Sequence, residues 1–223
     1  MSTSPKKISR RQFLIGAAGV SVISLGGFGY WATRQPPLEF VERSYGSTTA
    51  EEKKVLVAYG SQYGSTGGVA DAIGRALAQA GVAADVRRVE GVSDLSPYKA
   101  AIIGAPIISD KWMPAATSFV TQQRAALAAI PSAYFLTCMT LALSRDEADR
   151  AAQAKVLEAM QREVPEVRPV ELGLFAGALD YSKMTPAMQQ LYKFFSADDT
   201  GGDYRDFAAI GAWAKALRPR LLG

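Results

Sequence analysis

Histidine is absent from the 223 residues, and cysteine occurs once, at Cys138. Without an imidazole there is no His-based nucleophilic triad. With a single thiol there is neither a Cys/His zinc set nor a disulfide within the chain. A lone thiol in an apolar run reads as a small core residue, which leaves any redox chemistry to a bound group. Net charge is also missing from most of the chain. The total is +4, but six of the 25 basic residues and two of the 21 acidic ones fall within residues 1–45, leaving 19 of each sign beyond. A neutral body gives no reason to expect a nucleic-acid partner.

The basic excess belongs to the N-terminus. Lys6, Lys7, Arg10 and Arg11 precede Phe13–Trp31, a run without any charge. Ser9-Arg10-Arg11-Gln12-Phe13-Leu14 resembles the twin-arginine export signal. That resemblance implies passage through the twin-arginine machinery, which carries proteins already folded, often around a cofactor. No clean A-x-A site follows, Gly27-Phe28-Gly29 being a weak substitute, and the uncharged run is long enough to span a bilayer. A cleaved signal and a retained anchor both stay open. The expected location is the periplasm or the outer face of the cytoplasmic membrane, with residues 13–31 as the anchor if they are kept. Gln35–Glu52, with Pro36-Pro37 and Ser47-Thr48-Thr49, has no apolar period and reads as a linker. The expected division is a signal or anchor over 1–34, a linker over 35–52 and one domain over 53–223, a size with room for a core.

The domain is organised around its first segment. Val55-Leu56-Val57-Ala58-Tyr59 is short and apolar enough for a buried strand. Gly60-Ser61-Gln62-Tyr63-Gly64-Ser65-Thr66-Gly67-Gly68 follows, and Val69, Ile73, Ala76 and Leu77 then recur at helical spacing, so a helix begins near Thr66 or Gly67. A strand, a hydroxyl-rich turn and a helix N-terminus make an anion cradle. The first helical N–H groups lack intrahelical partners, and the macrodipole places partial positive charge there. Ser61, Ser65 and Thr66 add hydroxyl donors. No lysine follows the glycines, so a Walker A loop is excluded, and the spacing is not that of the GxGxxG turn. A plain helix cap needs only one hydroxyl; three, with four glycines, point to a phosphate. A phosphomonoester held without Lys or Arg is the signature of flavodoxins, and the loop resembles their FMN phosphate loop, with Ser61, Gln62, Tyr63, Gly64, Ser65 and Thr66 as the expected contacts.

Beyond it, strands expected at Val82–Val89, Ala100–Gly104, Ser132–Cys138 and within Val167–Leu179 alternate with helices at Pro114–Ala128, Arg145–Glu163, Pro186–Phe195 and Asp203–Leu217. This alternation predicts an α/β fold, a five-stranded parallel sheet with helices on both faces; the loop's resemblance to flavodoxins implies a flavodoxin-like three-layer sandwich with strand order 2-1-3-4-5. In such sheets ligands sit at the carboxyl ends of strands 1 and 3. Ala105, Pro106, Ile107 and Ile108 are therefore expected beside a flat ring, with Trp112 either stacked on it or covering the sheet edge. Thr137, Cys138 and Met139, after the fourth strand, are expected as a third wall.

The order YGSQYGST, IIGAPIISDKW, AYFLTCM, FAGALDY and TGGDYRDFAAIGAWA, from about Lys54 to the C-terminus, resembles the flavodoxin-domain family of menaquinone-dependent protoporphyrinogen oxidases. The resemblance implies FMN as cofactor, electron exchange with a quinone or a membrane redox partner, and a porphyrinogen as substrate. The flavin itself would carry the chemistry, with no catalytic side chain and no metal. The other reading is a non-enzymatic FMN electron carrier for an exported or membrane partner. Carriers of that kind are strongly acidic around the flavin, and the neutral body leans toward an enzyme.

Overall fold

The computed structural model describes residues 29, 31–47, 54–144, 146–195 and 201–223; the arginine pair and nearly all of the uncharged run lie outside them. The chain forms two compact units, Leu38–Asp180 with Gly201–Gly223, and Met1–Pro37 with Tyr181–Thr200. The strands are β1 (Arg43–Tyr45), β2 (Lys54–Tyr59), β3 (Ala84–Arg88), β4 (Tyr98–Ile108), β5 (Lys111–Trp112), β6 (Ser132–Cys138), β7 (Leu172–Ala176), β8 (Ala178–Leu179) and β9 (Gly202–Asp203). The α-helices of eight or more residues are α1 (Ser65–Gln79), α2 (Pro114–Gln122), α4 (Glu147–Glu163), α5 (Pro186–Phe195) and α6 (Phe207–Leu222), with the short α3 (Arg124–Ala128) after α2.

In the larger unit β3, β2, β4, β6 and β7 lie side by side and all parallel, the expected order 2-1-3-4-5. The physical cause is the period of two along buried strands, which gives each face of the sheet its own apolar layer. Val55, Val57 and Tyr59 of β2 pack with Val69, Ile73 and Leu77 of α1 and with Ile210, Ala214 and Leu217 of α6. Leu56 and Ala58 face the opposite layer, with Phe119 and Val120 of α2 and Leu157 and Met160 of α4. The flavodoxin-like sandwich is the fold observed.

Several boundaries differ from expectation. Within the expected linker, Arg43–Tyr45 forms an antiparallel edge strand on β3. It is held by an Arg87 guanidinium N–H donating to Arg43 O (2.8 Å) and by Tyr45 Oη donating to Asp71. Three residues are too few to show a period. The strand expected to stop at Gly104 continues to Ile108, and the expected loop after it is a hairpin, with Ile107 opposite Trp112. Its two turn residues, Ser109 and Asp110, both have positive φ, 50° and 58°, the backbone twist that two-residue hairpins require. The helix expected over Pro114–Ala128 breaks at Gln123. The last strand splits at Gly177, and its outer half, β8, leaves to pair with β9.

The smaller unit is described over a helical turn at 31–33, a 3-10 turn at Tyr181–Lys183 and α5. Gln35 Nε2 donates to Lys183 O (2.8 Å), joining its two chain segments. Among the described residues no helix is long and apolar enough to cross a membrane.

Candidate functional site

The parallel register brings the carboxyl ends of β2, β4 and β6 together. Tyr59 lies opposite Gly104, and Gly60 N donates to Gly104 O (2.8 Å). Pro106 lies opposite Thr137, and Cys138 opposite Ala176. The three segments expected from sequence thus meet along one edge of the sheet.

The first is a formed cradle. Gly64, the residue before α1, has φ 89°, a left-handed conformation that glycine adopts without strain. Its N–H donates to Ser61 Oγ (2.9 Å), folding the loop back on itself, and Ser61 is buried. No side chain caps α1, and no acidic residue stands in its first turn. A helix start lined by Ser61 and Ser65 hydroxyls, without a competing carboxylate, suits a phosphate dianion. Gln62 and Tyr63 bond to each other at the loop's rim, Nε2 to Oη at 3.2 Å. Thr66 is placed differently. It is wholly buried, with its Oγ1 bonded to Thr137 Oγ1 (3.0 Å), so it ties the start of α1 to the end of β6.

Arg205 belongs to the same loop, and sequence reasoning missed it. Its guanidinium donates to Ser65 O (2.9 Å) and is itself held by Asp203, Nε to Oδ1 at 2.7 Å. That fork holds the Asp203 carboxyl below its ordinary range. A Cβ on Gly68 would stand 2.2 Å from an Arg205 nitrogen, so glycine is what admits the guanidinium. Gly68 and the Asp203-Tyr204-Arg205 run were both visible in the sequence; their meeting was not, because 134 residues lie between them.

In the second segment Ala105 is buried and Pro106, Ile107 and Ile108 are half-buried at the strand end. Trp112 is turned inward. It packs on Tyr134 with ring centroids 5.3 Å apart, and its Nε1 donates to Ala105 O (3.2 Å). Trp112 is buried in the apolar layer and braces the hairpin from the core side. In the third segment Thr137 is buried, Cys138 is buried with its thiol pushed up by desolvation, and Met139 is half-buried. Such a thiol stays protonated and is a poor nucleophile. No group of three or more His, Cys, Asp or Glu side chains among the described residues could hold a metal.

A doubly wound parallel sheet with an anion cradle at its switch point defines a flavin- or nucleotide-binding α/β class. Within that class the family is specific: the chain matches the flavodoxin domain over residues 56–205, and it belongs to that family. FMN is accordingly its cofactor, and the uncapped α1 start fits the FMN phosphate. Among solved structures, oxidised flavodoxin 2 from Bacillus cereus is similar at 19% identity, covering 75% of this chain and 99% of that one, with a TM-score of 0.49. A flavodoxin from the domain Archaea is similar at 15% identity over 76% and 99%, with a TM-score of 0.46. Rubredoxin oxygen:oxidoreductase from Desulfovibrio gigas is similar at 15% identity over 78% of this chain and 39% of that one, with a TM-score of 0.44. No curated protein matches the chain.

Proposed function

We propose that this protein is an exported, membrane-tethered FMN oxidoreductase that exchanges electrons with a quinone. The observation that carries the FMN part of the reading is the uncapped N-terminus of α1 beneath the Ser61–Ser65 loop, at the carboxyl end of β2. In this reading Ser61, Ser65 and the loop N–H groups hold the FMN phosphate, with Gln62 and Tyr63 at its rim. Thr66 fixes the helix start. Ala105, Pro106, Ile107 and Ile108 offer a flat, largely apolar wall to the ring and exclude water from it, and Thr137, Cys138 and Met139 form the opposite boundary. Bound FMN supplies one- and two-electron transfer. The chain's own part is binding, orientation and access, which suits a protein with no histidine.

The membrane setting is supported by Ser9-Arg10-Arg11-Gln12-Phe13-Leu14 and the uncharged run behind it. The resemblance to menaquinone-dependent protoporphyrinogen oxidases extends the reading to a porphyrinogen as electron donor. The test is the visible spectrum of protein purified from membrane and periplasmic fractions, followed by anaerobic reduction and reoxidation with a menaquinone analogue. Flavin reoxidised by the quinone supports the reading, and steady porphyrinogen oxidation supports its extension. Flavin that exchanges electrons only with a protein partner would make this chain a carrier instead.

A further inference from the structure

Six large apolar side chains are exposed among the described residues, and four of them lie in the smaller unit: Trp31 (56%), Leu191 (48%), Tyr192 (39%) and Phe194 (82%). Three sit on α5. Ala187, Leu191 and Phe194 fall at i, i+4 and i+7, one stripe of the helix, and all three are exposed. An amphipathic helix of a globular protein normally turns that stripe to the core; here it faces outward. The segment 181–195 carries Lys183 and Lys193 and no acidic residue, with Tyr181 and Tyr192 among its aromatics. Lys193 lies 5.4 Å from the Tyr181 ring centroid.

We propose that α5 is an interfacial helix, with the Ala187–Leu191–Phe194 stripe seated in the headgroup boundary of a lipid bilayer. The composition is that of helices lying in a membrane plane: an apolar stripe, flanking lysines that reach phosphate headgroups, and tyrosines at the polar boundary. Continuity favours lipid over a protein groove. Exposed Trp31 ends the uncharged run 13–31, and the chain from there is bonded through Gln35 to Lys183, three residues before α5. The inference rests on the membrane-tethered reading above, and adds that a second element of the same unit lies on the surface. A lone apolar anchor leaves a domain free to tumble; a second contact restricts its orientation.

The test uses the full chain with FMN, reconstituted in vesicles of phosphatidylethanolamine and phosphatidylglycerol. Nitroxide labels are placed at Leu191→Cys, Phe194→Cys or Lys193→Cys; the native Cys138 is buried and does not compete. Labels at 191 and 194 are expected to be several-fold more accessible to oxygen dissolved in lipid than to an aqueous nickel chelate, with the reverse at 193. A chain that sediments with vesicles while all three labels stay in water overturns the inference and leaves the tether standing. A chain that does not sediment overturns both. Labels at 191 and 194 immobilised without lipid, together with a doubled mass, would put a second copy on the stripe and also overturn it. The double variant Leu191→Ser/Phe194→Ser should keep the flavin spectrum yet lose the difference in helix mobility between lipid and buffer.

Discussion

Arg205 reaches the Ser61–Ser65 loop from near the end of the chain, and its bond to Ser65 O holds the loop in place. A charge-assisted hydrogen bond contributes about 1.5–3 kcal/mol, so Arg205→Ala is expected to weaken FMN binding by about tenfold or more. Riboflavin lacks the phosphate and should bind the variant as it binds the parent, so fluorescence titration with both ligands separates loop positioning from general damage. Thr66 and Ser61 should part company in the same assay. Thr66→Val leaves the buried Thr137 hydroxyl unsatisfied and should cost about 1–3 kcal/mol of stability, read as a lower urea midpoint. Ser61→Ala removes the acceptor for Gly64 N–H and a candidate phosphate donor, so it should lower FMN affinity more than it lowers that midpoint.

Among the elements, the β4–β5 hairpin extends the carboxyl end of β4, and its turn is built from Ser109 and Asp110 at positive φ. Non-glycine residues pay roughly 1 kcal/mol for that conformation, which Asn-Gly adopts readily. The pair Ser109→Asn/Asp110→Gly is therefore expected to stabilise the protein by about 1 kcal/mol, seen as a raised denaturation midpoint. Strand β3 carries a charge at depth. Burial pushes the Asp85 carboxyl up, but its bond to Ser44 and the positive charges of Arg87 and Lys54 outweigh that, and the net shift is downward from 3.8. Lys54 Nζ and Arg87 Nη2 lie 3.4 and 3.5 Å from its oxygens. A lowered folded value means that the stabilisation is complete above pH 3.8 and is lost as pH falls through the folded value. Urea midpoints measured against pH should drop in that acid range, and Asp85→Asn should flatten the drop while lowering the midpoint at neutral pH.

For the whole molecule, location is the property that decides which partners are met. Replacing Arg10 and Arg11 together with lysine is expected to hold the protein in the cytoplasm with its FMN bound, checked by fractionation and flavin absorbance. Export unchanged by that replacement would remove the twin-arginine reading and leave the FMN site untouched. The neutrality of residues beyond 45 also predicts that association with any charged partner protein depends only weakly on ionic strength, since long-range steering needs net charge.

The sequence alone determined the parallel sheet, because buried strands leave apolar runs and amphipathic helices leave their period in the chain: Val55–Tyr59, Ala100–Gly104 and Ser132–Cys138 were legible as strands for that reason, while the strand order came from the resemblance to flavodoxins. It also marked the Ser61–Thr66 cradle, since glycines and hydroxyls crowd there beyond what a cap requires. Tertiary structure decided what depends on contacts between distant residues. Arg43–Tyr45 is a strand because β3 offers it an edge, and Trp112 is a core side chain because Tyr134 and Ala105 O receive it. Thr66 meets Thr137 because β2, β4 and β6 end together, which brings the start of α1 to the end of β6. Arg205 joins the loop because Gly68 leaves room for its guanidinium. Local periodicity carries no record of such meetings; they exist only once the sheet has closed the distance.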